Sequence, residues 1–200
     1  MPKTFTDSQR AYIKAKLLEE ARACIEQFGL RKTTVDEIVK RAKIPKGTFY
    51  LFYRSKELLL FDVVCSLHDE YQEKLMVEIG LIKDSINPKK LTDIIFELYR
   101  SLEGSFLFKL ITSGELEVLF RTLPPETAEL HAEKDDFRME ELVSIVPNMD
   151  TNKIQAYSAA LRGVFISMLY KREIGDQVFD QALKIMIHGI VIQMFEGEKQ

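Results

Sequence analysis

The chain has 200 residues, 46% of them hydrophobic and 30% charged, with a formal net charge of −3. That is enough apolar material for one large or two small packed domains. No apolar run approaches the roughly 20 residues of a membrane-spanning helix, and the amino terminus MPKTFTDSQR lacks a signal-peptide core.

Cys24 and Cys65 stand alone without metal-ligand or C-x-x-C spacing, so a reducing, cytoplasmic setting is expected. The net charge conceals an asymmetry. Residues 1–56 hold 13 Lys/Arg against 6 Asp/Glu, whereas residues 57–200 hold 15 against 25. A basic amino-terminal quarter on an otherwise acidic chain suits one part that faces phosphates and another that is kept off them.

In chain order, a first helix is expected from Thr6 or Asp7 to Phe28. Ile13, Leu17, Ala21, Cys24, Ile25 and Phe28 share one side of it, and Gly29 supplies a C-cap. Cys24 on that stripe reads as a small buried hydrophobe. Arg10, Lys14 and Lys16 line the polar side, where a DNA-backbone role and a solvated face are both open.

The next stretch is TTVDEIVKRAKIPKGTFYLFYRSKE, residues 33–57. Thr34 and Glu37 have capping-box spacing, and Val35, Ile38, Val39 and Ala42 form one apolar face. Lys43-Ile44-Pro45 interrupts the helix, because proline disfavours the α conformation before it and suits the first turn of a new helix. Two short helices joined by such a turn make a helix-turn-helix, whose second helix enters the DNA major groove. Ser55 then caps a long helix through Leu58, Leu59, Phe61, Val64, Leu67 and Tyr71 to about Ile79. At about 24 residues it would reach about 36 Å, long enough to link the head to the rest of the chain.

The runs V-D-E-I-V-K-R-A, P-K-G-T-F-Y and F-Y-R-S-K-E-L resemble the signature of the tetracycline-repressor (TetR) family of bacterial transcriptional regulators. The resemblance covers about the first third of the chain, is gap-free, and is more specific than a generic helix-turn-helix. It implies an all-α protein with an amino-terminal three-helix DNA-binding domain at residues 1–55, the motif itself spanning 34–53. Residues 56–200 would then form a helical ligand-binding and dimerisation domain. It also implies a homodimer, double-stranded operator DNA of near-palindromic sequence, and a small apolar or amphipathic effector. No cofactor or membrane association is implied.

Site residues follow from both lines of reasoning. Thr33 and Thr34 lie at a helix amino terminus, where free N–H groups and the dipole favour a phosphate; for Thr34 capping alone is the plainer role. Lys46 opens the second helix without apolar duty. Gly47 omits a side chain where backbone would approach the duplex, unless packing requires the omission. Thr48 can offer a hydroxyl or methyl to a base edge. Phe49 belongs to the core, Tyr50 is the aromatic expected at a phosphate, and Lys56 is a backbone clamp. In the family it resembles, positions matching Thr34, Lys46, Gly47, Thr48, Tyr50 and Lys56 commonly face DNA. Phe52-Tyr53 departs from the usual polar aromatic or histidine followed by phenylalanine, leaving open which of the two meets the backbone.

Further along, helices are expected at Lys90–Leu102, in two pieces over Phe106–Phe120 broken near Ser113-Gly114, after Pro124-Pro125, at Ile154–Tyr170 and at Gln177–Phe195. No strand-like alternation occurs. Phe96, Tyr99, Phe106, Phe108, Phe120, Phe165 and Met168 could line an apolar pocket, although such residues at helical spacing are more often plain core. Ala160, Gly163 and Ser167, with Met186, Ile190 and Met194, are expected at a dimer face, because the last helix is apolar nearly all round. An enzyme finds no support. His68, His131 and His188 are scattered without a metal-binding pattern, no glycine-rich phosphate loop or G-x-S-x-G turn is present, and the acidic run 129–141 reads as a solvated face. Two rival readings stay open: a regulator that senses no small molecule, and a helical small-molecule-binding protein with a vestigial DNA head.

Overall fold

The computed structural model describes residues 5–124, 127, 145–147 and 149–196, and among them every regular element is a helix. The chain divides into two compact units, Met1–His68 with Phe106–Pro125, and Asp69–Ser105 with Glu126–Gln200. The expected helix after Pro124-Pro125, with His131 and the acidic run 129–141, lies outside the described residues.

In the first unit, α1 spans Asp7–Lys32 and opens with a full capping box: Gln9 N–H bonds the Thr6 hydroxyl and the Gln9 side chain returns to Thr6 N–H. Leu17, Ala21, Cys24 and Ile25 are buried as the periodicity predicts, while Ile13 is half-buried and Phe28 lies partly exposed beneath the Arg41 guanidinium. Gly29 has φ 79°, in the left-handed region, so helical backbone is interrupted there. The coil continues to Lys32 because Thr33 folds back: its N–H and its hydroxyl both donate to Gly29 O.

Helix α2 spans Val35–Ala42 and buries Ile38, Val39 and Ala42. The Thr34 hydroxyl accepts from Glu37 N–H, and Lys43 closes the helix at φ 55°. Then comes α3, Lys46–Phe49, with Pro45 at its N-cap and Phe49 fully buried. Helix α4, Lys56–Ile82, runs one turn beyond the expected end, and Ser55 accepts Leu58 N–H at its start. Leu59, Leu60, Phe61, Val63, Val64 and Leu67 are buried along its first half. Burying each such side chain contributes roughly 1.5–3 kcal/mol.

Helix α5, Pro88–Leu102, is capped by Asn87. Helices α6, Phe106–Thr112, and α7, Glu115–Thr122, belong to the first unit and are separated by Gly114; both pack on α1. The second unit has α5 against α10, Phe179–Glu196, with α8, Ile154–Ser167, also on α10. The helix expected to run to Tyr170 instead ends at Ser167, passes through a 3-10 turn at Met168–Tyr170, and resumes as α9, Lys171–Ile174. Along α10 the buried side chains are Phe179, Leu183, Ile187, Val191 and Met194, a single stripe, while Ile185 is 71% exposed. Among the described residues, burial on that helix is therefore one-sided.

Candidate nucleic-acid interface

Local chemistry turns part of the 33–57 stretch inward. Thr33 is fully buried, and its carbonyl accepts a 3.0 Å hydrogen bond from Lys56 Nζ. The ammonium thus sits at the carboxyl end of α1, where the helix dipole favours a cation. Tyr53 is also buried; its hydroxyl donates to Asp62 Oδ2 at 2.8 Å, and burial, with the adjacent carboxylate, pushes its ionisation up. As placed, Thr33, Tyr53 and Lys56 bond within the head instead of presenting their polar atoms outward. These joints fix where α3 begins and ends.

The remaining residues face out. Thr34 and Lys46 are exposed, Thr48 is half-buried, and Tyr50 is 52% exposed with its ring edge-on to Phe49. Gly47 is exposed, and a Cβ there would have nothing within 4 Å. The chain's own packing therefore does not require glycine at that position. Lys46 Nζ lies 2.8 Å from Asp36 Oδ1 across the turn, and this hydrogen bond, with the carboxylate's charge, raises the lysine's affinity for its proton. Asp36 had no signal of its own beyond acidity in a first helical turn, because its partner lies on the next helix. Phe52 is half-buried, with the Arg10 guanidinium 5.1 Å from its ring centroid.

A second unanticipated residue is Glu115. Its carboxylate accepts Leu30 N–H at 2.7 Å, just past the Gly29 interruption, and the position of a Gly29 Cβ would be 3.0 Å from its Oε1. Eighty-five residues separate the two partners, so no local pattern could reveal the bond.

The residues expected to line a pocket fall into two sets. Phe96, Tyr99, Phe165 and Met168 share the second unit, where the Tyr99 hydroxyl donates to Leu161 O at 3.0 Å and its ring meets Phe165 edge-on. Phe106 and Phe120 lie in the first unit, Phe120 edge-on to Phe61. Of the expected dimer residues, Gly163 is exposed and Ala160, Ser167, Met186 and Ile190 are half-buried, but Met194 is fully buried in the chain's own core. His188 is exposed on α10 and bonds through Nδ1 to Thr92 Oγ1 at 3.0 Å. Among the described residues no group of three His, Cys, Asp or Glu side chains could hold a metal ion, and no helix is long and apolar enough to cross a membrane.

A short helix set outward by an inward-bonded three-helix head is the arrangement of helix-turn-helix proteins. The family model for bacterial regulatory proteins of the tetR family matches residues 17–63. Residues 17–63 are thus similar to the DNA-binding heads of tetR-family regulatory proteins. It is 38% identical over 61 residues to the uncharacterized HTH-type transcriptional regulator YhgD of Bacillus subtilis (strain 168). That match covers 30% of this chain and 32% of YhgD, so it spans about a third of the relative. Similarity of fold runs much further. A protein described as a TetR-family transcriptional regulator of Mesorhizobium loti MAFF303099 superposes with a TM-score of 0.58 at 17% identity, over 96% of this chain and 98% of that one. Thermus thermophilus FadR, a TetR-family transcriptional repressor solved with lauroyl-CoA, gives a TM-score of 0.57 at 20% identity, over 94% and 95%. The chain thus shares the all-α fold of these regulators over nearly its full length.

Proposed function

We propose that this chain is a sequence-specific DNA-binding transcriptional regulator, a homodimeric repressor that a small apolar or amphipathic ligand releases from a near-palindromic operator. The observation that carries the reading is the outward face of α3: Lys46, Gly47 and Tyr50 are exposed, and Gly47 is a glycine for which the chain itself has no need. Thr34, Lys46 and Tyr50 contact phosphates, the Gly47 backbone approaches the duplex, and Thr48 meets a base edge. Residues 1–55 act as the reading head and 56–200 as the effector and dimer body, in the cytoplasm.

For the body, support comes from the apolar set Phe96, Tyr99, Phe165 and Met168, and from FadR, whose fold this chain shares and which was solved with lauroyl-CoA. A second copy of the chain covers the side carrying Ala160, Gly163, Ser167, Met186 and Ile190; near these positions in sequence Ile166, Tyr170 and Ile185 are all more than half exposed. Two-fold symmetry then sets two recognition helices about one DNA turn apart, roughly 34–36 Å, or wider. The effector acts by preferring the form whose heads no longer match the groove spacing, since equal affinity for both forms shifts nothing. Native mass spectrometry of the purified chain tests this part: the reading expects dimer mass and a retained small molecule, and a monomer without ligand would remove both.

A further inference from the structure

Of the cations on the polar side of α1, Arg10 and Lys14 are exposed and Lys16 is half-buried. Two of them are already engaged. Lys16 Nζ lies 3.0 Å from Glu19 and 2.9 Å from Glu20. Lys14 Nζ lies 3.6 Å from Asp62, the carboxylate that also accepts the Tyr53 hydroxyl. Arg10 differs. It is exposed, its guanidinium carbon stands 5.1 Å from the centre of the Phe52 ring, and among the described residues no carboxylate pairs with it. The Phe5 ring lies 6.0 Å from that of Phe52, tilted by 49°.

Phe52 follows Tyr50 by two residues at the end of the reading head, and its apolar ring has no group able to bond a phosphate. A guanidinium resting on an aromatic face keeps all its N–H donors free at its edge, and it is less strongly hydrated than an ammonium, so it suits two-point contact with a phosphate. The ring also limits the conformations that the long side chain would lose on binding.

We propose that Arg10, held over Phe52, is an additional phosphate contact, made from α1 and outside the segment 17–63 that matches the family model. It provides the polar contact that Phe52 itself lacks. The inference rests on the DNA-binding reading above, and it makes Phe52 a positioning residue for Arg10.

The test is fluorescence anisotropy with the full chain, using a duplex selected by the wild type from a random pool and a scrambled duplex, each over a range of salt. Arg10→Gln weakens binding to both duplexes by a similar factor, about tenfold, and flattens the slope of log affinity against log salt by about one per contact. Arg10→Lys keeps the wild-type slope, which separates lost charge from lost folding. An Arg10→Gln slope equal to that of the wild type, with Lys46→Gln still reducing it, overturns the proposal and leaves the DNA reading standing. A wild type whose binding ignores salt overturns both.

Discussion

Gly47 separates stability from function at a single residue. Its missing Cβ leaves open space inside the chain, and alanine in a helix is favoured over glycine by roughly 0.5–1 kcal/mol. Gly47→Ala is therefore expected to raise the urea midpoint slightly while weakening binding to duplex DNA; a variant that binds as tightly as the wild type would mean that nothing approaches there. Asp36 offers the opposite experiment. It holds Lys46 in the free protein, so Asp36→Asn should release the ammonium and tighten binding to any duplex several-fold, most visibly at low salt. Weaker binding would show instead that Asp36 orients Lys46 for contact. The Thr34 cap was readable from spacing alone. The inward turn of Thr33, Tyr53 and Lys56 was not, because each side chain is claimed by a partner 4–23 residues away across a bend in the chain.

At the scale of elements, two helix starts were legible from their caps: Thr6 and Thr34 each accept a backbone N–H in the expected place. Ends set by packing were less so. The left-handed Gly29 stops helical geometry but not the coil, since Thr33 reaches back to bond its carbonyl. What pins that corner is Glu115 of α7, and Glu115→Ala should cost about 1–3 kcal/mol in urea unfolding, the range for an amide left without its acceptor in a partly buried site. An unchanged midpoint would show that water replaces the carboxylate freely.

In the second unit, Asp93 meets Lys184 at 2.6 Å and Lys89 at 3.5 Å, and its carboxyl is held below the usual range, first through the bond to Lys184. Asp150 is lowered as well, chiefly by Asn152 N–H. A carboxylate depressed in the folded state adds stability above its unfolded pKa and loses it as pH falls. The melting temperature should accordingly drop as pH is taken from about 5 to about 3. Asp93→Asn should shrink that drop. Because the carboxylate is 38% exposed, the effect is screened and modest.

For the whole molecule, the uneven charge and the head motif were legible without any structure, and so was the all-helical class. The assignment of α6 and α7 to the same compact unit as the head was not: no periodicity tells a helix which neighbour it packs on, and two aromatics expected in one pocket, Phe106 and Phe120, went with them. The last helix misled in a related way. Its apolar residues outnumber those its own core uses, and only the fold distinguishes the buried stripe through Met194 from the exposed Ile185. If a second copy covers the remaining side, Ile190→Glu should yield monomers by light scattering without unfolding the chain; an unchanged dimer mass would move the interface elsewhere.

In the proposed function the outward face of α3 meets DNA phosphates and bases. This contact is tested most directly by titrating promoter DNA with the wild type and with Lys46→Ala and Tyr50→Phe, between about 0.05 and 0.2 M salt. Affinity is expected to fall steeply with salt in the wild type, both variants to bind more weakly, and Lys46→Ala to show a salt slope reduced by about one per contact. Flat salt dependence in the wild type, with both variants binding as it does, would contradict the contact.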